Sequence, residues 1–202
     1  LVSPDGIAFA AGNLYVADAG HGPGSVSGQV LEYNSAGASL QTIAAPGANG
    51  LDAATALAFH GGNLYVANAT SSVGAGSVLE YNALGIFVGT FATGLTSPTA
   101  LAFDPLGNLF VADASASTND VVEYGSTGSL VGTFIEAGGG GLGAPAGLAF
   151  VPAAPQPQPV PEPSSLAMFG IAAALASYAG YGRAAVACEI CRLRPSVVRD
   201  RA

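Results

Sequence analysis

Asp18, Asn68 and Asp113 close three near-copies of one short line: Gly12-Asn13-Leu14-Tyr15-Val16-Ala17-Asp18, Gly62-Asn63-Leu64-Tyr65-Val66-Ala67-Asn68 and Gly107-Asn108-Leu109-Phe110-Val111-Ala112-Asp113. Oxygen ligands repeated at equivalent places can converge on a channel, where they would bind Ca²⁺ or a sugar. The simpler reading is local. Asp and Asn at the end of a strand accept hydrogen bonds from nearby backbone N–H groups, and a structural role predicts one such residue per repeat. Glu32, Glu80 and Glu123 each precede a Tyr in an alternating run and read as its solvent-facing members. His21 and His60 stand in non-equivalent places and share no motif, so both are expected in loops or turns. Cys188 and Cys191 have the spacing of a metal knuckle or redox pair, but one pair with no second pair and no nearby His does not make a zinc site. No catalytic set and no metal set emerges.

A different chemistry, recognition by a processing enzyme, is offered near the other end. Val160-Pro161-Glu162-Pro163-Ser164-Ser165 is followed by an uncharged run from Leu166 to Gly182 and then by Arg183. At about 1.5 Å per residue the run reaches about 25 Å as a helix, the short end of a membrane span. Ala, Gly and Ser dominate it, Tyr178 and Tyr181 sit near its end as interfacial aromatics do, and all five cations of the chain begin at Arg183. The positive-inside tendency puts the basic tail 184–202 in the cytoplasm and everything before Leu166 outside. A single transmembrane helix is therefore expected over 164–183, anchored in the inner membrane, with Arg183 as its stop.

The elements that must position the first set of residues form a repeat. Ile7-Ala8-Phe9, Leu57-Ala58-Phe59, Leu101-Ala102-Phe103 and Leu148-Ala149-Phe150 recur at a period in the forties to about fifty. Each of the first three leads into the Gly-Asn line above. Then come Val30-Leu31-Glu32-Tyr33, Val78-Leu79-Glu80-Tyr81 and Val121-Val122-Glu123-Tyr124, and a looser fourth line such as Phe87-Val88-Gly89-Thr90-Phe91. Four short runs per unit, each bounded by Gly, Asn, Asp or Pro, read as four strands with tight turns, and four strands at this period are the mark of propeller blades. The fold class is all-β: a partial β-propeller of three four-stranded blades (about 3–50, 51–95 and 96–142) with one further strand at 143–151. Closed propellers take about four to eight blades. With no Met, no basic n-region and no apolar h-region at Leu1, the sequence reads as a fragment whose remaining blades and export signal lie upstream.

Composition narrows the partners. Residues 1 to 165 hold eleven acids and neither Lys nor Arg. A surface without cations argues against nucleic acid and anionic lipid, and it tolerates divalent cations or neutral glycans. Residues 152 to 163 are Pro-rich, a stiff extended spacer ending in the Pro161-Glu162-Pro163 motif.

Two resemblances follow from these residues. Residues 160 to 183 resemble the PEP-CTERM sorting signal of Gram-negative exported proteins. The resemblance implies recognition of Pro161, Glu162 and Pro163 by an exosortase, a membrane-embedded protease or transpeptidase, often in bacteria that secrete exopolysaccharide. It also implies export, anchoring in the inner membrane before processing, and then the cell surface or extracellular matrix. The tail 184–202 runs past the point where such signals usually stop. Residues 3 to 151 resemble NHL-type propeller repeats, which imply the fold and no particular activity. Together they describe an exported binding or structural protein with exosortase, the membrane and exopolysaccharide or glycans as partners, and no cofactor beyond a Ca²⁺ that Asp18, Asn68 and Asp113 would hold. The alternative is an extracellular propeller hydrolase or lyase, whose active site would need an inward-facing cluster of His or metal-ligating residues.

Overall fold

The structure is a computed structural model that describes residues 1–20, 27–70, 74–115 and 119–150. The linker 152–163, the helix expected at 164–183, the tail, His21, Pro161, Glu162, Pro163 and Arg183 lie outside the described residues. Among the described residues no helix is long and apolar enough to cross a membrane; helical structure is limited there to single 3₁₀ turns at Ala48–Gly50 and Gly139–Gly141.

Among the described residues twelve strands form three four-stranded antiparallel sheets, each a simple meander in chain order. The first blade is β1 (Pro4–Ala10), β2 (Asn13–Asp18), β3 (Gln29–Tyr33) and β4 (Ser39–Ala44). The second is β5 (Ala53–His60), β6 (Asn63–Ala69), β7 (Gly76–Tyr81) and β8 (Phe87–Leu95). The third is β9 (Pro98–Phe103), β10 (Leu109–Asp113), β11 (Asp120–Tyr124) and β12 (Leu130–Ile135). This arrangement is that of consecutive blades in a partial propeller.

The turns form for local reasons. Ala10 pairs with Asn13, so β1 and β2 are joined by Ala11-Gly12 alone, and both residues take positive φ, 50° and 82°. That is the geometry of a two-residue hairpin whose twist suits the strands. Gly61-Gly62 does the same between β5 and β6. In the third blade the longer connection is held by the Asp104 carboxylate, which accepts from the N–H groups of Leu106 and Asn108 at 2.9 and 2.8 Å. Asn34 and Asn82 make the same bonds between the third and fourth strands of the first two blades.

The core lies between blades. In β6, Leu64 and Val66 join Ala17 and Val30 of the first blade in one apolar cluster, while Tyr65 and Ala67 join Leu101, Leu109 and Val111 of the third in another. Side chains alternate across a strand, so both faces of the middle blade are buried. The first strands approach closely: a Cβ on Gly6 would stand 2.8 Å from both the Ala56 Cα and the Thr55 carbonyl oxygen. The Thr55 hydroxyl donates to the Pro98 carbonyl (2.5 Å), and the Thr99 hydroxyl to that of Pro145 (2.6 Å).

Aromatic contacts repeat with the blades. Tyr15 meets Phe59 with ring centroids 4.8 Å apart, Tyr65 meets Phe103 at 4.7 Å, and Phe110 meets Phe150 at 4.9 Å. Pro145 and Phe150 thus occupy, against the third blade, the places of Pro98 and Phe103 against the second. The segment expected as a further first strand runs along the third blade without entering a ladder.

The Ala11 backbone is the one turn position here where a Cβ is held at positive φ in a two-residue hairpin, a conformation that disfavours Ala by about 1 kcal/mol. Replacing Ala11 with Asn, which favours this turn, should raise the unfolding free energy by about that amount; an equilibrium denaturation that leaves the midpoint unmoved would remove the argument.

Candidate functional site

The second strand of each blade ends in a polar side chain that is buried. Asp18 Oδ1 accepts from the Val2 and Ser3 N–H groups at 3.0 and 2.7 Å, and its Oδ2 accepts from Gln29 Nε2 at 3.1 Å. Asn68 Oδ1 accepts from the Asp52 and Ala53 N–H groups, and its Nδ2 donates to the Gly50 carbonyl and the Ser77 hydroxyl. Asp113 accepts from the Thr96 and Ser97 N–H groups at 2.7 and 2.5 Å. In every blade the side chain clamps the segment that leads into the first strand onto the end of the second. Burial alone would push the Asp18 carboxyl up, but the donors from Ser3, Gln29, Val2 and Gly20 outweigh it and hold it below the ordinary carboxylate range.

The structure gives each of these residues to its own blade. Among the described residues no group of three or more His, Cys, Asp or Glu side chains is placed to hold a metal ion. His60 lies at the end of β5 with its ring stacked on Phe103 at 4.5 Å, a packing contact between the second and third blades.

A second set differs from the sequence expectation. Glu32, expected in solvent, is buried, and its carboxylate accepts from Asn13 Nδ2 (2.7 Å), the Tyr15 hydroxyl (2.8 Å) and Gln41 Nε2 (2.6 Å). Glu80 accepts from Asn63 Nδ2 and the Tyr65 hydroxyl at 2.6 and 3.0 Å. The register sets these contacts, because Tyr15 lies opposite Glu32 and Tyr65 opposite Glu80. Burial and the neighbouring carboxylate push both tyrosines up to about 12. Burial works against the Glu32 charge, yet Gln41, Tyr15 and Asn13 together keep its carboxyl below the ordinary range. In the third blade Phe110 replaces the tyrosine, and Asn108 Nδ2 turns instead to Asp104. The co-occurrence of Asn, Tyr and Glu in the same order in the first two blades, and the change of Tyr to Phe in the third, is the signal the sequence offers.

The blades also differ at the partner of the clamp. Asp18 faces Gln29 and Asn68 faces Ser77, both able to donate, whereas Asp113 faces Asp120. Asp120 Oδ1 is buried with no hydrogen-bond partner. Burial first, then the charges of Asp113 and Glu136, push the Asp120 carboxyl up. Nearby, burial and the Asp113 and Asp120 charges push the Tyr124 hydroxyl to about 12, and that hydroxyl donates to the Thr93 carbonyl of the second blade.

With this geometry in hand, comparison separates the two parts of the chain. Residues 159–183 carry the PEP-CTERM protein-sorting motif. A signal of this kind implies an exported protein that is anchored in the membrane before processing by an exosortase. No curated protein matches the chain in sequence. Among solved structures, a chain of a nidogen/laminin complex matches with a TM-score of 0.57 at 19% identity, over 73% of this chain and 52% of its own length. This chain therefore spans about half of that structure, and the likeness concerns the fold alone. Regucalcin, a calcium-binding protein from Agrobacterium tumefaciens, matches with a TM-score of 0.45 at 15% identity over 64% of this chain and 44% of its own. That likeness is too distant to carry an argument.

The clamp and the acid pair give opposite pH responses. Asp18 and Glu32 have carboxyls depressed by folding, so the stability they confer is present above their unfolded pKa values, about 4. It is lost as pH falls through the folded ones. Asp18→Ala should cost about 2 kcal/mol at pH 7, the worth of hydrogen bonds to a charged group. Asp120 is raised, so its ionisation opposes folding above its unfolded pKa. Asp120→Asn should raise the melting temperature at pH 7, with the gain vanishing as pH falls below about 4; an equal gain at both pH values would refute the linkage.

Proposed function

We propose that this chain is a surface-directed bacterial protein whose NHL-like propeller serves as a binding or structural module of the envelope or extracellular matrix. One observation carries the reading: a sorting motif at residues 159–183 attached to a repeat of all-β blades. The motif supplies the address, and the blades supply a rigid passenger. The Pro-rich residues 152 to 163 serve as the spacer between them.

Within that reading Pro161, Glu162 and Pro163 are the processing motif, residues 164 to 183 form the membrane anchor, and Arg183 is its stop. The partner in the matrix is a neutral glycan or exopolysaccharide, a reading supported by a passenger with eleven acids and no cation before residue 166. Ca²⁺ or a sugar at Asp18, Asn68 or Asp113 would have to compete with the backbone amides that those side chains already bind. The binding role is favoured over a hydrolase or lyase because the described blades spend their buried acids on holding strands together.

The test is made in a host with an exosortase. Glu162→Gln, which removes the charge of the motif and keeps its size, should leave the protein unprocessed, larger on a blot and retained in the inner-membrane fraction. A variant of unchanged size and location would sink the sorting assignment. If the motif holds, binding of the exported protein to the host's own exopolysaccharide, by co-sedimentation, tests the matrix role separately.

A further inference from the structure

The outer strand of every blade is bulged at the same place. Pairing steps from Glu32 opposite Gln41 to Tyr33 opposite Ser39, from Glu80 opposite Gly89 to Tyr81 opposite Phe87, and from Glu123 opposite Gly132 to Tyr124 opposite Leu130. The residue left over is aliphatic each time, Leu40, Val88 or Val131, and each is more than half exposed, at 51, 55 and 63%. A bulge re-aims the side chain that it frees from the ladder. The middle blade has a neighbour on each side, so Val88 stands on an outer edge and not on an uncovered blade interface.

Two turns extend this apolar rim. Strands of a meander reverse at alternate ends, so the β7–β8 and β9–β10 turns lie at the same end as these bulges. Asn82 makes the bonds of the first turn and leaves Leu84 76% and Ile86 59% exposed; Asp104 makes those of the second and leaves Leu106 81% exposed. The turn chemistry resides in Asn82 and Asp104 and asks for no leucine at either tip.

The charges lie the other way. Among the described residues the exposed acids, Asp5, Asp52 and Glu136, stand where first strands begin or a fourth strand ends, which is the opposite end of the blades. At the turn end Glu32, Glu80 and Asp104 are drawn into hydrogen bonds. Pro145 accepts from Thr99 as Pro98 does from Thr55, and Phe150 meets Phe110 as Phe103 meets Tyr65. This last segment therefore runs from the acidic end to the turn end, and the chain leaves the blades beside the apolar rim. Fifteen residues separate Phe150 from Leu166 and reach at most about 50 Å.

We propose that the turn end of the blades, led by Leu84, Ile86, Val88 and Leu106, rests on the bilayer that holds residues 166 to 182, with lipid acyl chains as its partner. This docking rests on the reading of 164–183 as a membrane anchor. Exposed apolar side chains gathered at one end mark an interaction site, and a short tether keeps the bilayer at high effective concentration, so shallow insertion of a few side chains suffices. Anionic headgroups repel the acidic end, which fixes the orientation. Docked in this way, the blades hold Pro161-Glu162-Pro163 close to the membrane surface before processing.

The chain contains no Trp, so a single substitution reports on one place. The full 202-residue chain carrying Leu84→Trp, or Asp52→Trp at the opposite end of the same blade, is reconstituted in phosphatidylcholine vesicles with and without brominated acyl chains. Leu84→Trp should lose about half of its emission to the brominated lipid, as befits a side chain about 5–10 Å into the headgroup boundary. Asp52→Trp should lose none. Adding Ile86→Asp and Val88→Asp to Leu84→Trp should abolish the loss while circular dichroism stays unchanged. Resistance to alkaline carbonate extraction reads the anchor separately: extraction sinks the anchor and the docking together. Retention with Leu84→Trp unquenched, or with Asp52→Trp quenched as strongly, overturns the docking alone. So does a blue-shifted Leu84→Trp emission that brominated lipid leaves untouched, because protein, such as a second copy, then covers the rim.

Discussion

Each blade depends on burying one face on the blade before it and the other on the blade after. A single four-stranded sheet has two apolar sides and no means of covering either by itself, so its stability is a property of neighbours. The middle blade shows the requirement met: Leu64 and Val66 are covered from one side, Tyr65 and Ala67 from the other. The rest of the structure follows from that constraint. Small residues such as Gly6 stand where first strands approach, threonine hydroxyls bridge from one first strand to the next, and each second strand carries a ring for the following Phe.

The same constraint explains what could and could not be read from the residues. The blades were legible because each is punctuated by Gly, Pro, Asn or Asp and returns at a fixed period. The clamp at Asp18, Asn68 and Asp113 was also legible as a turn-bonding reading beside a ligand-binding one, because short polar side chains after a strand find backbone N–H groups close by. The glutamates were not. Alternation along a strand implies that the polar member faces water only for a sheet with one wet face. Here Glu32 shares its strand face with Val30, the face that packs on the second blade, so the polar member of the run is turned inward. Its donors come from three other strand positions, Asn13, Tyr15 and Gln41, so only the register could assemble them.

Repetition and departure divide the labour within the blades. What recurs in all three, the Gly-Asn hairpin, the clamp and the ring, builds the scaffold. What does not recur is where individuality lies: Phe110 in place of a tyrosine, Asp120 in place of a donor, and Asp104 drawing Asn108 away from Glu123's strand. All three departures fall in the blade that lies nearest in sequence to the sorting motif.

The buried acids of the blades carry a consequence of their own. With no Lys or Arg before Arg183, the buried carboxylates of Asp18 and Glu32 are answered by amides, a hydroxyl and backbone N–H groups, never by a cationic side chain. Neutral donors are not shielded by dissolved ions as an ion pair is. Added salt therefore has no Lys or Arg ion pair within the blades to weaken; it screens the Leu1 ammonium, 3.9 Å from Asp18 Oδ2, and relaxes the mutual repulsion of the surface carboxylates.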